Sequence, residues 1–180
     1  MSHSKKVLHI SESLHNTHEL RQKIAEYTNE PTNNIESYVA YSNIQDDVDS
    51  NEDIRVVIIF TTKRILSFLS KQDNVHLDAT YRLNWNNFPV MICGVTNATG
   101  LFYPSLTVLS SHEDSKAWSE IYEFIHNLGI HPARRMADGS LAITKAGEDV
   151  FGSCPHCQNS TSINLLNPQA KSKIMPSQWP

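Results

Sequence analysis

From Ile54 to Gly152 the apolar residues switch repeatedly between a period of two and a period near 3.6, the mark of strands alternating with helices. RVVIIF at 55–60 is an unbroken, β-branched apolar run and predicts a short strand. TTKRILSFLSK then turns helical, with Ile65, Leu66 and Leu69 on one face and Thr61 or Thr62 as cap. NVHLDATYRL alternates, placing Val75, Leu77 and Ala79 on one side and His76, Asp78 and Thr80 on the other. After a turn at Asn86-Asn87, PVMICGVTN reads as the next strand. Ala98-Thr99-Gly100 supplies another turn, and LFYPSLTVLS a further strand. Joined by short turns, these three strands predict an antiparallel meander.

Ser111-His-Glu-Asp114 marks a helix start, its acids placed favourably at the positive end of the helix dipole. Trp118, Ile121, Tyr122, Ile125 and Leu128 follow at spacings of three and four, Gly129 suits the C-terminal cap, and Pro132 prevents resumption. ARRMADGS predicts a short strand that returns after this helical crossover and so lies parallel to a neighbour. Ser140 can cap a last helix, LAITKAGEDVF, with Gly147 as a weak point and Gly152 as its stop. The pattern as a whole predicts an α/β fold: a three-stranded antiparallel meander plus a parallel strand, with flanking helices.

The ends read differently. Residues 1–53 form a polar N-terminal region holding a short helix, with Thr17 as cap, Leu20, Ile24 and Tyr27 along one stripe, and Pro31 as its end. An acid-rich linker follows, with room for a short strand at 38–41. Residues 153–180 carry Pro155, Pro168, Pro176 and Pro180 without periodicity and read as a disordered tail.

Composition narrows the function classes. Hydrophobic residues make up 39% of the 180, low for a compact domain, and the deficit falls on the two ends. The net charge of -4 argues against strong DNA binding by the chain alone, though a metal site requires clustered carboxylates. Three cysteines, Cys93, Cys154 and Cys157, do not suggest a disulfide framework. No apolar run spans a membrane and no signal peptide is read, so the expected setting is intracellular, nuclear or cytoplasmic.

Asp78 and Asp138 are the candidate chemistry. Each lies in or just after an apolar strand pattern, HLDATY and RMADGS, where Asp is disfavoured by propensity unless the strand end opens onto a site. If the two strands are adjacent and parallel, both carboxylates leave the same end of the sheet and can hold a hard divalent cation. The same residues also fit a plain Asp138-Gly139 turn and a solvated edge residue at Asp78. Cys154-Pro-His-Cys157 reads as two thiols in a solvated tail, since a zinc site needs about four ligands and His126 and His131 stand outside recognised spacings. One of Arg134 and Arg135 can face a phosphate backbone, or both are solvated charges. Trp118 and Tyr122 read as core, and Ser111, His112 and Glu113 have no acyl-transfer constellation around them.

HLDATYRLNWNNFPVMICGVTNATGLFYPSLTVLSSHEDSKAW resembles the start of a Mutator-like element (MULE) transposase domain, with its D-A-T-Y strand, its Pro-to-Gly-Val segment and its S-x-E-D element. RRMADGSLAITKAGEDVFG resembles that family's second motif and the helix after it. The resemblance covers about residues 55–152. It implies an RNase H-like fold, with Asp78 and Asp138 as the first two acids of a catalytic triad and as ligands to Mg2+ or Mn2+. The implied activity is DNA cleavage and strand transfer, with DNA as partner and a second copy of the chain or a full-length transposase as further partners. The family's third acid is a Glu much further on, and Glu148 and Asp149 are not at its position. The resemblance stops at Gly152. The expectation is therefore a truncated, incomplete RNase H-like domain without its fifth strand, inactive alone. Two alternatives stay open: an enzyme completed by another chain or by Glu148, and a domesticated nucleic-acid- or protein-binding module.

Overall fold

A strand with apolar residues on both faces must be covered on both, and the apolar run at 55–60 behaves accordingly. A computed structural model describes residues 17–45, 54–84, 86–97, 99–137 and 140–152, together with the backbone of Thr161–Asn164. In chain order the elements are α1 (Thr17–Tyr27), β1 (Tyr38–Gln45), β2 (Arg55–Thr61), α2 (Lys63–Leu69), β3 (Asn74–Thr80), β4 (Val90–Thr96), β5 (Phe102–Ser110), α3 (Ser115–Asn127), β6 (Arg134–Ala137), α4 (Leu141–Phe151) and β7 (Thr161–Asn164). Val57 and Ile59 of β2 join the main core with α3, while Val56 and Ile58 turn to the other face and pack with Leu20 and Ile24 of α1 and Val39 of β1.

The strands form one sheet in the order β1-β2-β5-β4-β3-β6-β7. Pairing is antiparallel from β1 through β2, β5 and β4 to β3, then parallel from β3 to β6 and from β6 to β7. The chain is thus mixed α/β, and β3, β4 and β5 form the expected meander with β6 parallel to β3 after the α3 crossover. The main core lies between one face of the sheet and α2, α3 and α4. Its largest fully buried side chains include Trp118 and Tyr122, which are core residues as expected.

Local chemistry explains the joints. Asn84 brackets the β3–β4 turn, donating from Nδ2 to the Phe88 carbonyl at 2.7 Å and accepting the Phe88 N–H at 3.0 Å. Asn97 Oδ1 accepts the N–H groups of Thr99 and Leu101 at 3.0 and 2.9 Å, and Gly100 at φ +81° completes the β4–β5 turn. Thr62 caps α2, accepting from Ile65 N at 3.2 Å. Asp114 caps α3, accepting from Ala117 N at 2.8 Å. At the far end of α3, Ile130 N–H bonds Ile125 O and Gly129 N–H bonds His126 O, a Schellman closure with Gly129 at φ +74°.

Several expectations are corrected. Regular structure starts well before Ile54: β1 runs to Gln45, beyond the short strand expected at 38–41, and extends the sheet past β2. Thr17 is the first helical residue of α1 rather than its cap. Leu128 caps α3 and is exposed instead of completing the buried stripe. Ser140 occupies the cap position of α4, but its side chain makes no capping hydrogen bond. The segment expected to be a structureless tail contains β7, whose register with β6 runs from Arg134↔Thr161 to Ala137↔Asn164, so the sheet does not stop at β6.

Candidate metal-ligand edge at Asp78

Asp78 sits one residue beyond the end of a described parallel ladder. Register runs Asn74↔Arg134, Val75↔Arg135, His76↔Met136 and Leu77↔Ala137. The final pair therefore consists of the residues that directly precede Asp78 and Asp138 in sequence. Asp138 and Gly139 lie outside the described residues, as do Cys154 and Cys157.

Strand alternation sends Leu77 and Ala137 into the main core and turns Asp78 to the opposite face, the one away from α2, α3 and α4. Asp78 is exposed, and among the described residues no hydrogen bond or ion pair engages its carboxylate. That is the state of an oxygen donor available to a hard cation, and in this respect Asp78 fits Mg2+ or Mn2+. The fit is partial: among the described residues no group of three or more His, Cys, Asp or Glu stands together as a metal-holding set. Glu148 and Asp149 are exposed positions of α4, whose buried residues Ile143, Ala146 and Phe151 pack on the core face. α4 packs on the face of the sheet opposite the one to which Asp78 turns.

His76 shares the Asp78 face, as the alternation of β3 predicts, and Phe102 packs against it. His76 points to the same face two positions earlier, half-buried, with Nε2 3.0 Å from Thr96 Oγ1 and its ring edge-on to Phe102 at 6.0 Å. Burial pushes its pKa below the usual histidine range, favouring the neutral imidazole. Phe102 lies across Gly94, where only a residue without a side chain leaves room. The H-x-D alternation held the signal for His76. The Phe102 contact depends on cross-strand pairing and leaves no local trace.

Arg135 corrects another expectation. It faces neither phosphate nor water: it is 5% exposed, and its guanidinium lies 4.9 Å from the Phe151 ring centre and 6.0 Å from that of Tyr122. Gly147 makes room for it, since a β-carbon there would come within 2.9 Å of Arg135 Nε. Arg134 is the exposed member, donating from Nε to Asn74 Oδ1 at 2.7 Å. Ser111 Oγ does stand 2.8 Å from His112 Nδ1, yet it also accepts Val56 N–H at 2.9 Å. That pair braces the β5–α3 joint, and among the described residues no acid completes it as a triad requires. Cys93 is fully buried, and burial raises its thiol to about 12, which leaves it inert.

Comparison of the chain with protein-family models, with curated proteins and with solved structures finds no match. None of the described helices is long and apolar enough to cross a membrane.

Proposed function

We propose that residues 54–152 form a partial RNase H-like domain of the MULE transposase type, in which Asp78 and Asp138 are two ligands of a Mg2+ or Mn2+ centre for DNA cleavage and strand transfer. The observation that carries this reading is the ladder ending at Leu77↔Ala137, with each partner followed in sequence by one of the two aspartates. Its setting supports the same reading, because a meander extended by parallel strands through a helical crossover is the arrangement that the resemblance implies.

A pair of divalent ions held by such carboxylates supplies water activation and stabilisation of the leaving oxygen in phosphodiester cleavage. The chain's own contribution is the placing of Asp78. A strand locked by antiparallel β4 on one side and parallel β6 on the other fixes its backbone, while among the described residues no hydrogen bond or ion pair competes for the exposed carboxylate. Two carboxylates make an incomplete ligand set, and such sites depend on complete ones. The chain by itself therefore binds metal weakly and does not cleave.

Calorimetric titration with Mn2+, alongside a plasmid-nicking assay, tests this. Wild type should show weak Mn2+ binding that Asp78→Ala and Asp138→Ala each abolish, and neither wild type nor variants should nick DNA. Equal Mn2+ affinity in wild type and both variants would overturn the metal assignment. Nicking that depends on Asp78 would overturn the inactivity and point to an enzyme completed by another chain.

A further inference from the structure

Between α2 and β5 lies a groove of about 330 Å3 lined by Arg64, Ile65, Ser67, Phe68, Lys71 and Tyr103. We propose that it binds a single-stranded nucleic-acid segment, with Arg64 and Lys71 contacting phosphates and Tyr103, backed by Phe68, stacking a base.

The charge of the groove is one-sided. Both of its charged lining residues are cations. Among the described residues neither Arg64 nor Lys71 is engaged in an ion pair, whereas the adjacent Lys63 is tied to Glu30 at 3.3 Å. Arg64 lies in the first turn of α2 and Lys71 just past its C-terminal cap, Ser70, with the Lys71 N–H bonded to the Phe68 carbonyl at 3.2 Å, so both cations line the same groove from the two ends of the helix. Phe68 and Tyr103 give the same lining its aromatic surface. Tyr103 is 39% exposed, and its ring packs against Phe68 at 5.2 Å with a 59° tilt. Asn97 Nδ2 donates to its hydroxyl at 3.4 Å, which steadies the ring.

Cations spaced along an exposed aromatic platform match a chain that alternates phosphates with flat bases. A duplex keeps its bases stacked inside and cannot offer one to Tyr103, so the strand must be single. An acidic peptide would use the cations but leave the aromatic face idle. The net charge of -4 is spread over the whole chain, and screening confines its influence at physiological salt, so a local cationic groove still attracts phosphate.

The groove is separate from Asp78. Tyr103 pairs with Val95 and its ring packs on α2, whereas Asp78 pairs with Ile92 and turns to the other face. The inference therefore goes beyond the metal-centre reading and does not rest on it.

Fluorescence anisotropy of a labelled oligothymidylate with the full chain, in EDTA and across a salt series, tests it. Wild type should bind saturably and more weakly as salt rises. Arg64→Ala combined with Lys71→Ala should flatten the slope of log affinity against log salt by about 1.4, two phosphate contacts at about 0.7 each. Tyr103→Leu should weaken binding roughly tenfold at unchanged slope, the loss of one stacked base. Lys145→Ala, at an exposed position of α4, should bind as wild type does, and because EDTA keeps metal out of the assay, failure of the metal reading would leave this result standing. Absence of saturable binding would overturn the proposal, as would a double variant with unaltered slope. Displacement by polyglutamate as effective as by oligothymidylate, with Tyr103→Leu silent, would overturn it in favour of an acidic protein partner.

Discussion

The phenol of Tyr41 on β1 donates to the carboxylate of Glu120 on α3 at 3.1 Å, tying the N-terminal edge strand to the crossover helix. Asn43 Nδ2 donates to the same oxygen at 3.1 Å, while the other carboxylate oxygen is buried without a hydrogen-bond partner among the described residues. Burial, and then the charge and hydrogen bond of Glu120, raise the Tyr41 phenol from 10.0 to about 12.

A raised phenol pKa means that the fold favours the neutral form. The stability this contributes is fully present below the unfolded value of 10.0 and is lost as pH climbs from there through about 12. Urea midpoints measured on either side of that window should fall with rising pH in wild type, and should fall less in Tyr41→Phe. Glu120→Gln should move the late-titrating phenol to lower pH in an ultraviolet absorbance titration.

Gly94 is filled from above. A β-carbon there would come within 2.6 Å of the Tyr103 carbonyl oxygen and run into the Phe102 ring. Because one of those obstacles is backbone, Gly94→Ala should cost about 1–3 kcal/mol by overpacking. Chemical denaturation at neutral pH measures the loss. Phe102→Ala, which removes the ring but not the carbonyl, should recover only part of it in the double variant.

Asp114 has two roles at the start of α3. Its Oδ1 accepts Ala117 N–H, and its carboxylate is ion-paired with Arg55 of β2. Asp114→Ala should cost about 1–2 kcal/mol, the upper part of the usual capping range. Asp114→Asn keeps the cap and loses the charge, so it should fall between the two. Thermal unfolding monitored by circular dichroism gives the ranking.

Asp78 is exposed and unengaged among the described residues, so its structural importance is small. In EDTA, Asp78→Asn should unfold within about 0.5 kcal/mol of wild type. On adding Mn2+, the midpoint of wild type should rise with metal concentration and that of the variant should not, because only a ligand bound to the native state shifts the transition. Differential scanning fluorimetry with and without metal separates the two.

The middle of the fold was readable because its signals are local. β3, β4 and β5 carry alternation bounded by Asn84–Asn87 and Asn97–Gly100, and each turn closes with hydrogen bonds inside its own loop. The parallel placing of β6 followed from the helix between it and the meander. What escaped were pairings whose partners lie far away in sequence. YVAYSNIQ shows only a short strand at 38–41 locally; its run to Gln45 is held by β2 and by Glu120, far along the chain. TSIN within a polar stretch becomes β7 only because β6 offers it an edge. The site was legible to the same degree. Asp78 stood out as a strand aspartate, whereas Arg135 read as a surface charge because nothing local announces the rings of Tyr122 and Phe151.

With the Asp114 cap and the Gly129 closure securing its two ends, α3 is a spacer of set length between β5 and β6, and that length helps to set where β6 meets β3. Were β6 to slide by a single residue, every side chain on it would change sides. Met136 would then be offered to the Phe151 ring in place of Arg135, and a guanidinium would be driven to the opposite surface beside His76. The alignment of the two strand ends is therefore guarded at a distance: an error at the rim cannot arise without disrupting the aromatic seat of an arginine in the interior.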